Sequence, residues 1–410
     1  MSIHDTEAVG SLLDPANVTD PFPYYNALRE RDPVHWEAGL HAWIVTRHDD
    51  VMEAFRDPRL RTDYVVALME HQLRGRGHDP AIAADCLRIS QKMMVARGGA
   101  DHTRLRRQGN PAFDAKTVEG WRPAVERIMN GLLDRVQGGR MDVATDIAQP
   151  LVSTVITEVI GVPEEYRDNF LRWSNEAESF FGLAVSDLEA AARLANDRYL
   201  RLEQYILGLI EERRVRPGDD VISRLIAHEH EGHMTPEELA ANVQLLVLAG
   251  NVTTIDQLEN GVHVLLSHPD ALARLRERPE LRRSAIEEML RYRPPLHMTG
   301  RMAAEDLEIR GTRISAGQMV FLCMAAANRD PAVFPEPDRF DIARAPGRAF
   351  TFGFGPHLCL GAGLARLELD VAFEALLRRL PGLRLDDEAP PRPKLESLMF
   401  RGFLSLPVRF

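Results

Sequence analysis

The sequence predicts a mainly α-helical protein with small β-sheets. Apolar residues recur at helical spacing in long segments along the 410-residue chain, whereas strand-like apolar runs are short and scattered. We find no internal repeat, no low-complexity run and no linker rich in Gly, Ser or Pro that would separate independent domains. We therefore expect residues 1–410 to form a single domain.

Composition and charge exclude several classes of protein. The chain has 50 basic and 61 acidic residues, so it lacks the cationic surplus of a nucleic-acid-binding protein. The longest uninterrupted apolar run, 319–327, is far shorter than the roughly 20 residues of a membrane span. Only three cysteines occur, and the N-terminus has no signal-peptide pattern, which favours the cytoplasm. We expect neither a nucleic-acid nor a membrane partner.

Four amphipathic segments predict ordinary helices, and a fifth predicts a much longer one. The ordinary helices are expected at 117–138, 150–160, 188–213 and 281–293. The long helix is expected to begin after Thr235, where Pro236 suits the first helical position and Glu238 completes a capping box, and to end near Leu266. Apolar residues occupy nearly every face of it around 245–248, so this helix would pass through the middle of the protein.

Strand signals and one irregular segment complete the pattern. Short strands are expected at 41–46, 307–309, 319–324 and 403–408. Residues 325–354 are rich in Pro, Asp, Arg and Phe and show no periodicity. Irregular segments of that length inside a compact chain are usually functional.

Cys359 lies in an unusual glycine-rich context, TFGFGPHLCLGAG from Thr351 to Gly363. Gly353, Gly355 and Gly361 allow a tight turn and a close approach to a flat or bulky group. A helical pattern follows as far as Leu380, and the N–H groups at its start favour a thiolate, the form of cysteine that binds metals. The alternative is a small buried cysteine in a glycine-rich turn. A phosphate-binding loop is excluded because no Lys-Ser/Thr pair follows the glycines.

This segment resembles the cysteine-loop signature of the cytochrome P-450 family, haem-thiolate monooxygenases, and specifically the soluble bacterial type. Phe352, Gly355, His357, Cys359 and Gly361 occupy the defining positions, and further motifs follow the family's order across nearly the whole chain. The resemblance implies the cytochrome P-450 fold with the long central helix over haem b. It also implies that Cys359 is the axial ligand of the haem iron and, with Thr253, a catalytic residue.

Four basic residues match the family's contacts to the haem propionates. His102 and Arg106 are four residues apart and therefore project from one helix face. Arg301 and His357 match the other two contacts. Arg104 and Arg107 fall on the opposite face of that helix, where we expect them to join a basic patch that docks an acidic ferredoxin.

The long helix contains LAGNVTT from Leu248 to Thr254, which resembles the family's oxygen-binding segment. Ala249 and Gly250 would leave room over the iron, and the Thr253 hydroxyl would bond the carbonyl of Ala249 while facing bound dioxygen. The sequence departs from the family at Val252, where an acidic residue usually supplies protons. Asn251, Thr254, Asp256 or water would then have to deliver them.

Glu288 and Arg291 match the family's Glu-x-x-Arg pair, and Arg339 within Pro337-Asp-Arg-Phe resembles its third member. In isolation the first two would be a solvated surface pair worth a few tenths of a kcal/mol. The resemblance instead implies a buried trio with a structural role. It would hold the irregular segment 325–354 and so keep the cysteine loop in place.

Apolar clusters fall where this family lines its substrate pocket, although each of them suits a protein core equally well. The candidates are Met94, Leu245, Leu296, His297, Met298 and Phe400, together with the neighbouring pair Phe180 and Phe181. His297 would orient a polar group of a substrate, or form a hydrogen bond inside the fold.

The resemblance implies insertion of one oxygen atom from O2 into an apolar or amphipathic small molecule, with electrons from NAD(P)H through a reductase and a ferredoxin. Thiolate donation to the iron favours O–O cleavage. Val252 motivates an alternative, a peroxide-driven oxygenase or an oxidase that couples, desaturates or forms rings. A further alternative is a non-catalytic haem-binding sensor.

Overall fold

The computed structural model describes residues 10–178, 187–229, 234–345 and 347–410, and they are mainly helical with small sheets, as predicted. The chain divides into two compact units. The first contains the described residues of Met1–Arg61, Asn260–Cys359 and Pro393–Phe403, and the second contains those of Thr62–Glu259, Leu360–Arg392 and Leu404–Phe410. A single domain over residues 1–410 stays a prediction.

The first unit is organised around a five-stranded sheet. In spatial order its strands are Val34–Glu37, Ala42–Val45, Met319–Leu322, Thr299–Ala303 and Leu60–Arg61. Ala42–Val45 and Met319–Leu322 run parallel, with Ala42 opposite Met319, and the other pairs are antiparallel. A separate hairpin pairs Leu307–Ile309 with Thr312–Ile314. Val45, Val320, Leu322 and Phe350 are fully buried at the centre of the core beneath this sheet.

Six α-helices lie wholly within the described part of the first unit. They are Pro15–Thr19, Phe22–Arg31, His48–Arg56, Pro269–Glu277, Arg282–Tyr292 and Met324–Ala327. The predicted strand 319–324 ends at Leu322 because Met324 already begins the last of these helices. The irregular segment was expected at 325–354, but Ala325–Ala327 are helical, and the described residues from Asn328 to Phe354 form neither helix nor strand.

The second unit is almost entirely helical. Besides most of the long helix described below, its helices are Val65–Gly75, Ala84–Ser90, Gly99–Gly109, Ala115–Gly120, Arg122–Arg135, Gln149–Ile160, Arg167–Glu178, Leu188–Val215, Val221–Ala227 and Ala362–Arg379. A π-helical turn, Val143–Ala148, leads into Gln149–Ile160. Pro407–Arg409 pairs antiparallel with both Arg140–Asp142 and Arg384–Leu385 in a small sheet. The remaining strands of the chain are Arg392–Pro393 and Phe403–Ser405.

Two predicted elements are divided in the structure, and proline explains both breaks. The helix expected at 117–138 is two helices, Ala115–Gly120 and Arg122–Arg135, because Pro123 suits the first turn of a helix but not its interior. The strand expected at 403–408 breaks before Pro407, which has no N–H to donate. The N–H of Leu406 donates instead to the Asp142 carboxylate at 2.8 Å.

The long helix runs from Pro236 to Leu266, as predicted. The N–H of Thr235 donates to the Glu238 carboxylate at 3.0 Å, and the N–H of Glu238 donates to the Thr235 hydroxyl at 3.2 Å. These two bonds form the expected capping box, which satisfies N–H groups that the helix itself leaves unpaired.

Among the described residues, two helical stretches are long and apolar enough to cross a membrane by length and composition. They are Val143–Ile160, 67% of which is buried inside the protein, and Pro236–Leu266, whose most apolar window is 56% buried. Buried core helices meet the same two criteria, so the criteria do not by themselves indicate a membrane span.

Candidate functional site

The loop before Cys359 is a tight turn that depends on glycine. The N–H of Cys359 donates to the carbonyl of Phe352 at 2.9 Å, which closes the turn. Gly353 and Gly355 have φ angles of +72° and +76°, a region that residues with a side chain rarely occupy. A Cβ on Gly355 would also lie 3.3 Å from the carbonyl oxygen of Phe55. The loop therefore holds the cysteine through its backbone.

Cys359 differs from the other two cysteines in its exposure. Cys86 and Cys323 are fully buried, and burial raises the pKa of each thiol to about 12, so both stay protonated and packed. Cys359 is exposed. In the part of the chain that the structure describes, no group of three or more His, Cys, Asp or Glu side chains is arranged to hold a metal ion. A single accessible thiolate fits a metal whose other ligands belong to a prosthetic group, as in haem.

Arg301 and His357, two predicted propionate contacts, belong to the first unit together with Cys359. Arg301 lies on the strand Thr299–Ala303, is almost fully buried and donates to the carbonyl of Gly300 at 2.6 Å. Its guanidinium lies 5.3 Å from the centre of the Phe55 ring. Because Phe55 also contacts the cysteine loop, it places Arg301 beside that loop. His357 ends the short helical turn Gly355–His357 within the loop itself.

His102 and Arg106, the other two predicted contacts, lie on the helix Gly99–Gly109 of the second unit. His102 is buried, and burial together with the Arg106 guanidinium lowers its pKa. The neutral imidazole is thereby favoured, so it would act as a hydrogen-bond donor rather than as a charge. The Nε of Arg106 donates to the side-chain oxygen of Asn110 at 2.7 Å. Propionate binding by these four residues stays a prediction.

The expected basic patch on the same helix is smaller than predicted. Arg104 does not face outward, because both of its terminal nitrogens donate to the Glu238 carboxylate, at 2.9 and 2.7 Å. This pair ties the helix Gly99–Gly109 to the first turn of the long helix. Arg107 is exposed, so it is the member of the predicted pair that faces solvent.

The predicted hydrogen bond within the oxygen-binding segment is present. The Thr253 hydroxyl donates to the carbonyl of Ala249 at 2.7 Å, four residues earlier in the long helix. Gly250 faces the helix Gln149–Ile160, because a Cβ on it would lie 3.3 Å from the Cδ1 of Ile156. A small residue at position 250 therefore also serves helix packing inside the second unit.

The four residues around Thr253 offer unequal routes for protons. Val252 is partly exposed and has no exchangeable side-chain proton. Asn251 is buried, and its side-chain oxygen accepts a hydrogen bond from the Ser153 hydroxyl at 3.0 Å. Thr254 and Asp256 are also buried. Asn251 is thus held by the neighbouring helix, which makes it a less mobile proton carrier than water.

The predicted structural trio is corrected in its third member. Arg291 and Glu288 form a buried bidentate pair, with N–O distances of 2.7 and 2.8 Å. The second arginine on Glu288 is Arg344, whose Nε lies 3.0 and 3.1 Å from the two carboxylate oxygens. Arg339 instead extends into solvent and pairs with Glu336 at 3.0 Å. No local pattern marks Arg344, because it lies in the aperiodic segment, 56 residues after Glu288.

The corrected trio holds the irregular segment as expected. Arg291 also donates to the carbonyls of Asn328 and Pro337, both at 2.9 Å. Arg344 donates to the carbonyls of Pro335 at 2.6 Å and of Arg339 at 2.8 Å. The main chain of Arg339, rather than its side chain, therefore takes part in the network.

The predicted pocket residues are divided between the two units. Leu296, His297, Met298 and Phe400 belong to the first unit, where Leu296 and Phe400 pair as an isolated β-bridge. Met298 is fully buried, and Nδ1 of His297 lies 3.3 Å from the Tyr25 hydroxyl. Met94 and Leu245 belong to the second unit, and Phe180 and Phe181 lie outside the described residues. A role in binding substrate stays a prediction for all of them.

Comparisons with known proteins identify the family of this chain. The Cytochrome P450 family profile matches residues 61–409. The chain is 37% identical to the biotin biosynthesis cytochrome P450 of Bacillus subtilis (strain 168), over 95% of this chain and 96% of that one. It is also 37% identical to a 6-deoxyerythronolide B hydroxylase of Saccharopolyspora erythraea, again over 95% and 96% of the two chains.

Solved structures agree with the sequence relatives. P450BioI in complex with an acyl carrier protein ligated to hexadec-9Z-enoic acid has a TM-score of 0.87 at 36% identity, covering 97% of this chain and all of that one. CalO2 has a TM-score of 0.89 at 31% identity, covering 98% of both chains.

These similarities define a class of haem-thiolate enzyme. The chain belongs to the cytochrome P450 family, and it has that family's fold. Its cofactor is haem b, and it is a monooxygenase, an oxidoreductase like its named relatives, rather than a non-catalytic sensor.

Proposed function

We propose that this cytochrome P450 inserts one oxygen atom from O2 into an apolar or amphipathic small molecule, with electrons from NAD(P)H through a reductase and a ferredoxin. The observation that carries the proposal is the Thr253 hydroxyl, which is held by the Ala249 carbonyl in the segment that matches the family's oxygen-binding motif. A hydroxyl at this place serves an enzyme that uses O2 and needs controlled protons. We further propose that the enzyme works in the cytoplasm.

The roles of the residues follow from their surroundings. Cys359 would hold the haem iron through its exposed sulfur, while the backbone of the glycine turn fixes the direction of that sulfur. Arg301, His357, His102 and Arg106 would bind the propionates. Haem, when bound, supplies the oxygen-activating chemistry, and the protein supplies orientation and control of protons.

Thr253 is the residue that would move a proton. Its hydroxyl donates to the Ala249 carbonyl, and rotation about the Cβ–Oγ1 bond directs that proton to another acceptor. The oxygen retains lone pairs that accept a proton from water. With valine at 252, we propose that water delivers protons to Thr253.

Arg107 supports the proposed ferredoxin partner because it is exposed on the helix that carries two of the propionate-binding candidates. We expect Arg107→Glu to slow reductase-coupled turnover and to reduce its dependence on salt, while peroxide-supported turnover stays the same. An unchanged salt dependence would remove Arg107 from the proposed docking surface.

A second candidate function is favoured by Val252. An enzyme without the usual acid would depend less on proton delivery if it used hydrogen peroxide, which brings its own protons. Coupling, desaturation or ring formation also belongs to this candidate. The relatives are named for biotin biosynthesis and for hydroxylation of 6-deoxyerythronolide B, so they do not favour one substrate class.

The deciding experiment compares two sources of oxidising equivalents on the same holoenzyme. Substrates are first selected by the shift that they cause in the visible spectrum of the haem. Product is then measured with NAD(P)H, ferredoxin and reductase, and separately with hydrogen peroxide. We expect the reductase system to give the faster turnover and a product heavier by one oxygen atom. Comparable turnover with peroxide alone, or a product that lacks the added oxygen, would favour the second candidate.

A further inference from the structure

A cavity lies entirely within the first unit, and its lining includes no residue of the cysteine loop or of the oxygen-binding segment. Its volume is about 350 Å³, and it is lined by residues from 19–22, 292–297, 329 and 393–402. Four of the lining side chains are cationic: Arg293, Arg329, Lys394 and Arg401. Asp20 is the one lining carboxylate. The excess of positive charge suggests an anionic ligand.

Arg401 is the most informative of these cations. It is only 5% exposed, and one terminal nitrogen donates to the carbonyl of Val18 at 2.5 Å. Its Nε and its other terminal nitrogen have no hydrogen-bond partner among the described residues. A guanidinium stays charged in proteins, and burying its donors without partners is costly. The unpartnered donors therefore favour an acceptor beside Arg401.

Arg293 adds a second guanidinium, and it forms no salt bridge with a carboxylate of the described residues. Its Nε donates to the side-chain oxygen of Asn260 at 3.2 Å, and its charge lies 5.2 Å from the centre of the Phe403 ring. Burial lowers the pKa of both Arg293 and Arg401. By contrast, Arg329 is compensated, because it pairs with Asp338 at 2.9 Å.

His297 contributes a neutral donor to the same cavity. Its Nδ1 faces the Tyr25 hydroxyl, while its Nε2 is buried and has no hydrogen-bond partner among the described residues. Burial and the nearby guanidiniums hold the pKa of His297 well below its usual value. If the Tyr25 hydroxyl donates to Nδ1, then Nε2 carries the proton and can donate to an anion.

We propose that this cavity binds the phosphate group of a small phosphorylated molecule. Arg293 and Arg401 together exceed Asp20 by one positive charge, which favours an anion, and a phosphate monoester carries about −1.5 to −2 at pH 7. Its oxygens also suit the fork of donors on a guanidinium. The volume lies at the lower end for small-molecule sites, so an organic group fits beside the phosphate, against Phe22 and Leu395.

The test is calorimetric titration of the holoenzyme with inorganic phosphate, at an ionic strength kept constant with chloride. We expect saturable binding that Arg401→Gln weakens at least about tenfold, because the partnerless donors are lost. The matched control is Arg278→Gln, which removes an exposed arginine of the same unit and should leave the affinity unchanged.

A second variant keeps the proposal falsifiable if Arg401→Gln does not fold. Asp20 is exposed, so Asp20→Asn should preserve the fold, and by removing the opposing charge it should tighten phosphate binding about threefold. We also expect phenyl phosphate to bind more tightly than inorganic phosphate, and acetate to bind more weakly.

Two results would overturn the proposal. The first is the absence of saturable phosphate binding by the wild-type holoenzyme, and the second is an affinity that Asp20→Asn leaves unchanged. If phenyl phosphate binds no more tightly than inorganic phosphate, the claim that an organic group binds beside the phosphate is wrong. The cavity would then be a site for the free phosphate ion.

Discussion

The cysteine loop and the oxygen-binding segment are built in different ways. The loop depends on long-range contacts: glycine turns next to Phe55, and the irregular segment before it is held by Glu288, Arg291 and Arg344. The oxygen-binding segment depends on one local bond, from Thr253 to Ala249, and it departs from the family at Val252. Holding a cofactor requires fixed geometry, whereas water can replace a side chain that carries protons. The first region should therefore tolerate substitution less well than the second.

Loss of the thiol should have the largest effect. We expect Cys359→Ser to abolish the absorption that is characteristic of the reduced, carbon monoxide-bound haem-thiolate, because a serine oxygen is a poor substitute for a thiolate. The spectrum of the reduced protein with carbon monoxide measures this. Cys86→Ala, which removes a buried thiol, is the control and should keep the spectrum. An unaltered spectrum in Cys359→Ser would exclude this residue as the ligand.

Neutralising Glu288 should destabilise the fold strongly. Glu288→Gln would leave two guanidiniums without their carboxylate in a buried site, and we expect the free energy of unfolding to fall by about 3–5 kcal/mol. Urea unfolding of the holoenzyme measures it. Glu336→Gln breaks the exposed pair with Arg339 and should cost less than about 1 kcal/mol. Equal losses in the two variants would contradict the role given to Glu288.

Substitution of Arg344 and of Arg339 shows which of the two arginines is the third member of the trio. We expect Arg344→Gln to lower the free energy of unfolding by about 2 kcal/mol, because it removes bonds to Glu288 and to three main-chain carbonyls. Arg339→Gln should change it by less than about 0.5 kcal/mol, since that side chain is exposed. The same urea titration serves both variants, and a larger loss for Arg339→Gln would restore the original assignment.

Substitutions in the oxygen-binding segment should change coupling, the amount of product formed per NAD(P)H consumed, rather than the stability of the fold. Thr253→Ala removes the movable proton, and we expect product formed per NAD(P)H consumed to fall about tenfold, or about 1.4 kcal/mol. Ser267→Ala is the matched control, because it removes an equivalent bond, of 2.7 Å to the carbonyl of His263, directly after the same helix. Coupling unchanged in Thr253→Ala would show that protons take another path.

Restoring the missing acid should have the smallest effect. We expect Val252→Asp to raise product per NAD(P)H by about twofold, because a carboxyl group at this place adds a proton donor to the water that already serves Thr253. Val252→Asn, of similar size and without the acid, is the control. If the two variants give the same ratio of product to NAD(P)H, the relay does not pass through position 252.

The comparison of prediction with structure follows the same division between local and long-range contacts. The capping box at Thr235 and Glu238 and the bond from Thr253 to Ala249 were predicted correctly because their partners lie three or four residues apart on a helix. The predictions from the sequence were wrong for the third member of the trio and for the direction of the Arg104 side chain. Each of these side chains pairs with a residue at least 56 positions away.

The amino-acid order determined the helical class, the long helix and the positions of the glycines in the cysteine turn, since periodicity, caps and turn residues act between near neighbours. Tertiary structure alone decided that Arg344 rather than Arg339 contacts Glu288. It also decided that Arg293, His297 and Arg401 line one cavity with Asp20. These residues come from distant parts of the chain. Their charges interact only after folding has removed water and brought them together, so no local sequence pattern predicts this cavity.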